Sequence, residues 1–293
     1  MIIDAHQHVW DLGRAPYDWL TPALVPIDRT VTLAEVLPQQ RRLGIGGVVL
    51  VQAADNPEDT AHLLEVAQSS PQVVGVVAYL PLDRPRQVAA DLAEFVRQPV
   101  VVGIRTLIHE LADPDFLLRD AVQDSLAQIA AAGLCFDVVS ALPRHLEHVP
   151  VLARRHPELR LVVDHLSRPP IGARSVEPWW TLIERAAEPP NVSAKISGLY
   201  PDADRSAWST EEIRPFVQRA LAVFGPRRLM YGGDWPMSVL AGGYEHVWTG
   251  LAPLFAELDE ADRAQVLQHT ASRVYRLDPD RLAAAARALA DAG

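Results

Sequence analysis

The chain has 293 residues, 49% of them hydrophobic and 22% charged, so it carries enough apolar mass for a sizeable core, and long disorder is excluded. Lys and Arg number 27 against 37 Asp and Glu, and the net charge of −10 makes nucleic acid a poor partner. No apolar stretch reaches the ~20 residues that span a bilayer, so no membrane partner is expected.

The chain opens Met1-Ile2-Ile3-Asp4-Ala5-His6, with no basic patch followed by an apolar run, which predicts a cytoplasmic protein. The single cysteine, Cys135, lies in an apolar segment and reads as a buried, inert thiol in a reducing compartment.

In chain order, eight short β-type runs appear at residues 2–8, 47–53, 73–80, 100–107, 134–140, 160–165, 192–197 and 229–233. Several are almost continuously apolar, as strands of a parallel sheet buried on both faces are. Amphipathic helical patterns separate them. Asn56 before Pro57 reads as an N-cap, and Ser209-Thr210-Glu211-Glu212 as a capping box. Gly133 and Gly225 stand where a helix ends in a left-handed residue. A loop rich in proline and aromatics, residues 11–29, follows the first run. Residues 259–270 predict a further helix, and residues 279–292 another, packed on the outside or frayed.

Eight βα units predict an α/β fold of the (β/α)8 TIM-barrel type over residues 1–277, with extra C-terminal helices and a helical tail at 278–293. An open doubly wound sheet competes, but no glycine-rich phosphate loop follows an early strand.

In a barrel, chemistry sits at the C-terminal strand ends. The first run ends Asp4-Ala5-His6-Gln7-His8, and strand alternation places Asp4, His6 and His8 on one face. The two imidazoles either converge on one ion or substrate oxygen, or are hydrogen-bonded core histidines. His165 closes the sixth run and Asp234 the eighth; Asp234 is either a turn aspartate or the member that completes a His/His/His/Asp set. Gln52, Arg105, His109, Asp137 and Lys195 are further strand-end candidates. A cation inside a barrel must be paired or face a cavity, so Arg105 and Lys195 either grip substrate oxygens or form ion pairs, for example with Asp4 or Asp137. Trp10, Tyr17, Trp19 and Trp235 either form a sugar-facing wall or pack the loops.

With these residues in place the sequence resembles the amidohydrolase superfamily, and within it the sugar-acid lactonase branch of L-fuconolactonase-like and 2-pyrone-4,6-dicarboxylate lactonase enzymes. The matching stretches are Asp4-Ala5-His6-Gln7-His8-Val9-Trp10, Tyr17-Asp18-Trp19-Leu20, Gly103-Ile104-Arg105, Asp164-His165-Leu166-Ser167-Arg168-Pro169-Pro170, Lys195-Ile196-Ser197-Gly198-Leu199 and Gly233-Asp234-Trp235-Pro236. The resemblance implies hydrolysis of a cyclic ester, water activated by Asp234, and a centre lined by His6, His8 and His165.

Two departures stand out. Strand 4 offers Arg105, Thr106 and His109 where metal-dependent members carry a bridging Lys or Glu, and strand 5 has no His. That leaves one divalent, zinc-type ion on His6, His8 and Asp234, or a metal-independent site. Thr106 also replaces a His common after the strand-4 Arg.

The expected activity is therefore opening of a sugar-acid lactone, with catalytic Asp234, His165, His6 and His8. Arg105, Lys195, Gln52, Trp19, Tyr17, Trp235 and His109 are the expected substrate-binding set. A metal-dependent decarboxylase or amide hydrolase and a non-catalytic sugar-acid-binding barrel are the alternatives. The expected partner is a small lactone or sugar acid, and a homo-oligomer is compatible with the sequence.

Overall fold

Each apolar run becomes a strand. The computed structural model describes residues 1–201, 206 and 208–291. Within them lie β1 (Ile2–Gln7), β2 (Ile45–Val51), β3 (Val73–Tyr79), β4 (Val101–Arg105), β5 (Cys135–Val138), β6 (Arg160–Val163), β7 (Val192–Ile196) and β8 (Leu229–Tyr231). They pair in parallel in sequential order from β1 to β8. The ring is completed just beyond the last strand: Asp234 N–H donates to the His6 carbonyl at 2.8 Å, and His8 N–H to the Trp235 carbonyl at 2.6 Å. This is the expected (β/α)8 barrel.

The helices that follow the strands bury their apolar stripes against the sheet. These include α1 (Leu37–Arg42), α2 (Pro57–Ser69), α3 (Pro85–Phe95), α4 (Asp120–Ala131), α5 (Pro143–Arg155), α6 (Trp179–Ala187), α7 (Thr210–Phe224) and α8 (Tyr244–Ala256). Asn56 caps α2 by accepting from Asp59 N–H at 2.8 Å, and Gly133 and Gly225 are left-handed as expected. Ser209 stands at the N-cap of α7, but its hydroxyl donates to the Glu212 carboxylate at 2.8 Å instead of capping a backbone N–H, so the predicted capping box is not formed.

Two apolar clusters divide the core. The larger lies between sheet and helices; the smaller holds Ile3, Ala5, Val49, Val51, Val102, Cys135, Val162 and Met230 inside the barrel, together with Val274, Tyr275, Leu277 and Ala285 from the C-terminal region. The predicted post-barrel helix is α9 (Glu260–Ala264), a π-turn at Gln265–His269 and α10 (Thr270–Val274). After it, α11 (Pro279–Ala290) packs across the N-terminal strand ends, with Ala285 buried and Arg281 Nη1 donating to the Val73 carbonyl at 3.2 Å. The barrel is thus plugged from below. Residues 292 and 293 of the predicted tail lie outside the described residues. Cys135 is wholly buried, and burial pushes its thiol up to about 12, as expected of an inert cysteine.

One alternation argument fails. Ile3 and Ala5 point into the barrel, yet His6 and His8 also meet there, while Asp4 faces the helical layer. A register shift between Asp4 and Gln7 marks a β-bulge that turns His6 inward. Asp4 holds the bulge, accepting from His6 N–H at 3.0 Å, Gly233 N–H at 2.8 Å and the Tyr244 hydroxyl at 2.7 Å. Burial raises its carboxyl to about 6. Gly233 must be glycine here: a Cβ would lie 2.2 Å from the Tyr244 ring and 2.6 Å from Asp4 Oδ2.

No described helix is long and apolar enough to cross a membrane.

Candidate active site

The inward bulge brings His6 and His8 edge to face, their Nε2 atoms 3.1 Å apart. His8 Nδ1–H donates to the Val51 carbonyl at 2.7 Å, which fixes its tautomer and leaves Nε2 a lone pair. Asp234 Oδ1 lies 3.8 Å from His6 Nε2 and 3.9 Å from His8 Nε2. Asp234 itself is a left-handed non-glycine residue at φ 52°.

β6 ends in a second backbone device. His165, Leu166, Ser167 and Arg168 all have positive φ, from 48° to 60°, which makes a left-handed turn closed by Arg168 N–H to the His165 carbonyl at 2.9 Å. Each such residue costs about 1–2 kcal/mol for an L-amino acid, so the turn has to be held by its surroundings. Trp179 Nε1 donates to the Leu166 carbonyl at 2.7 Å, the Ser167 hydroxyl meets that of Ser140, and Pro169-Pro170 follow. The result is that consecutive residues Asp164 and His165 both reach the centre, where a strand would have sent one of them away. The His165 ring stacks edge-on to His6 at 4.4 Å, and its Nδ1 bonds Ser197 Oγ at 2.9 Å.

Beneath this floor lies a buried ionic layer. Lys195 Nζ is 2.6 Å from Asp137 Oδ2, 2.9 Å from Asp164 Oδ1 and 3.0 Å from His6 Nδ1. Arg105 Nη1 donates to Asp164 Oδ2 at 3.1 Å, and its Nη2 donates to the Gln52 carbonyl. From below, the Tyr275 hydroxyl donates to Asp137 Oδ2 at 2.7 Å. Two cations and two carboxylates balance one another, as burial requires. Lys195, His6 and Arg105 outweigh the burial of Asp164 and hold its carboxyl well below the usual range; burial wins at Asp137 and lifts it to about 6. His6 and His8 are driven well below the ordinary imidazole value, His6 by burial and the Lys195 charge, His8 by burial and the Arg105 charge. Both rings are therefore neutral at physiological pH. The proton of His6 is shared between two demands: on Nδ1 it donates to Asp164, 3.3 Å away, and frees Nε2, whereas an Nδ1 lone pair accepts from Lys195.

Above the floor opens a cavity of about 280 Å³. His8, His165, Asp234, Arg105, His109 and Trp19 line it, with Leu24, Leu107 and Met237 apolar and Glu110, Ser140, Arg168 and Tyr200 polar. Trp19 and Leu24 come from the loop after β1, which does cover the catalytic face. Lys195 and Gln52 lie under the floor and do not line the cavity. Nor do Tyr17, whose hydroxyl donates to Asp59 at 2.7 Å, and Trp235, which is buried at the barrel seam. Trp10 packs the loop through Trp19 and the Arg29 carbonyl. Burial, then Arg105, pushes His109 down to about 4.

Asp164, Ser197, Arg168, Tyr200 and Tyr275 are absent from the set that the sequence suggests as site residues. Asp164 falls on the wrong side by strand alternation, and Tyr275 comes from the opposite end of the barrel. The Tyr200 hydroxyl donates to Asp234 Oδ2 at 2.5 Å, and no spacing rule points to it.

The donor set fits a metal ion. The Nε2 atoms of His6 and His8 and Oδ1 of Asp234 form a triangle with sides of 3.1, 3.8 and 3.9 Å. A tetrahedral zinc ion about 2.1 Å from each ligand needs them ~3.4 Å apart. His6, Asp164 and His165 form a second convergent group.

Barrel, bulge and left-handed turn gather His6, His8, His165 and Asp234 at the C-terminal strand ends, where enzymes built on this barrel carry their active sites. The amidohydrolase family profile matches residues 3–277, and the chain belongs to that family. It is 34% identical over 280 residues to an L-fucono-1,5-lactonase of Burkholderia ambifaria, covering 94% of this chain and 96% of that protein. An amidohydrolase of Burkholderia multivorans solved with bound zinc superposes with a TM-score of 0.86 at 28% identity, over 95% of this chain and 100% of that one. A 2-pyrone-4,6-dicarboxylic acid hydrolase described as putative, from Pseudomonas putida, gives a TM-score of 0.69 at 25% identity, over 94% and 97%.

Proposed function

We propose that this chain hydrolyses the cyclic ester of a sugar acid, an aldono-1,5-lactone. One observation carries the reading: a carboxylate oxygen, Asp234 Oδ1, faces two neutral imidazoles at the floor of a cavity of about 280 Å³, room for one sugar ring. The L-fucono-1,5-lactonase relative supports the same class of substrate.

Asp234 takes a proton from water as the oxygen attacks the lactone carbonyl. Arg105 and His165 line the cavity and supply donors for the oxyanion that forms. The carboxyl of Asp234 then returns the proton to the ring oxygen as the C–O bond breaks, leaving a hydroxy acid. Trp19 offers a flat apolar face to the sugar ring, while His109 and Arg168 reach its hydroxyls. Lys195 and Gln52 act from beneath the floor: Lys195 orients His6 and Asp164, and Gln52 holds the Arg105 carbonyl at 3.1 Å. A zinc-type ion on His6, His8 and Asp234 would supply Lewis-acid polarisation of the carbonyl. Arg105 Nη1 stands 3.4 Å from His6 Nε2, at the edge of the cavity, and Lys195 Nζ 3.0 Å from His6 Nδ1 behind it; two positive charges so close to the ring support one ion and not two.

The test is a pH-indicator screen over aldono- and pyrone-type lactones, run with and without chelator. Acid release from an aldono-1,5-lactone is expected, and the chelator arm decides whether an ion takes part. Thermal stabilisation by sugar acids with no lactone turned over would leave a binding protein instead.

A further inference from the structure

The exit of β7 holds both reacting groups of the site. Ser197 Oγ bonds His165 Nδ1 at 2.9 Å. Gly198, at φ 59°, passes between the two: a Cβ there would lie 2.6 Å from His165 Nδ1 and 3.2 Å from Asp234 Oδ2. Two residues on, the Tyr200 hydroxyl donates to Asp234 Oδ2 at 2.5 Å.

The backbone of Asp234 is pinned on both sides, by its N–H to the His6 carbonyl at 2.8 Å and its carbonyl to Ser238 N–H at 2.8 Å. What remains free is rotation of the carboxylate, and that decides which oxygen meets water. A phenol donating to a carboxylate at this distance is a strong, charge-assisted bond.

We propose that Tyr200 is a positioning residue for Asp234: its phenol occupies Oδ2 and dedicates Oδ1 to the cavity floor, so that the base is a single, oriented oxygen. The inference deepens the lactonase reading and rests on it for its kinetic arm. Tyr200 acts through Asp234, so its loss falls on the chemical step and leaves substrate binding largely intact.

The experiment compares wild type and Tyr200→Phe, a change that keeps the ring packing, with melting temperatures recorded to show that both fold. On the lactone that wild type opens, kcat is expected to fall by about tenfold to a hundredfold, the worth of one hydrogen bond to a charged group, with KM changed less than about threefold. A crystal structure of the variant is expected to show the Asp234 carboxylate rotated, with His6 and His8 in place. An unchanged kcat, a raised KM with kcat kept, or a carboxylate that does not move overturns the proposal. Were wild type to open no lactone, the lactonase reading would fall, and the crystal structure alone would still decide the role of Tyr200.

Discussion

Lys195 Nζ sits 2.6 Å from Asp137 Oδ2, with both side chains wholly out of solvent, at mid-height of the barrel. Neither charge survives burial without the other, since desolvating an ion costs several kcal/mol that only close pairing offsets. Lys195→Met strands Asp137, leaves Asp164 to Arg105 alone, and is expected to cost about 3–5 kcal/mol in urea unfolding. Adding Asp137→Asn to that variant removes the stranded carboxylate and is expected to recover part of the loss. Equal stability of wild type and Lys195→Met would show that the layer is not held by this pair.

Asp234→Asn keeps the size of the side chain and removes its basicity. The barrel is expected to fold as before by circular dichroism, with turnover reduced at least about a hundredfold, the low end of general acid–base contributions. Near-normal turnover would take Asp234 out of the proton path.

His8 contributes Nε2 to the candidate ion site and is oriented by Val51. Wild-type protein equilibrated with zinc and desalted is expected to keep about one equivalent, and His8→Ala far less, by elemental analysis. Equal zinc in both would place the ion elsewhere.

Gly198→Ala puts a methyl carbon into His165 at a left-handed φ that alanine disfavours. Turnover is expected to fall more than about tenfold and the melting temperature by several degrees. An unaffected enzyme would mean that the β7 exit does not constrain His165.

Stability should decline on mild acidification. His6, His8, His62, His109, His145, His148, His156 and His165 are all held below the ordinary imidazole value, burial being the first cause in each. Their folded forms resist protons that the unfolded chain takes up near pH 6.5, so stability present above that pH is lost as pH falls. Asp4, Asp55, Asp59 and Asp137, raised to about 6 mainly by burial, act oppositely, because the folded state protonates first. Glu110, which burial also raises, joins them, and eight histidines against five carboxylates give the sign. The urea midpoint at pH 5 is expected below that at pH 7; the reverse order would contradict the balance.

The barrel was legible because buried parallel strands write themselves as runs such as Val48-Val49-Leu50-Val51, bounded by helix caps like Asn56. The convergence of His6, His8, His165 and Asp234 was legible because strand tips in this fold share one face. What escaped was backbone irregularity. The bulge at β1 sent Asp4 to the outside and kept His6 inside, against simple alternation. The left-handed turn brought Asp164 in beside His165. Lys195 and Gln52 ended beneath the floor because depth along a strand depends on barrel tilt and register, which one sequence does not display. Tyr275 reaches Asp137 from the chain's far end, a contact with no local signature.

The hydrogen bond that joins the last strand's exit to the first strand, Asp234 N–H to the His6 carbonyl, belongs to the residue whose carboxylate faces the imidazoles. Assembly of the catalytic machinery and completion of the ring are thus a single event. Asp234 lies late in the chain, so the four side chains can meet only once the last strand has docked on the first. Loosening between the first and last strands would carry the Asp234 carboxylate away from His6 and His8.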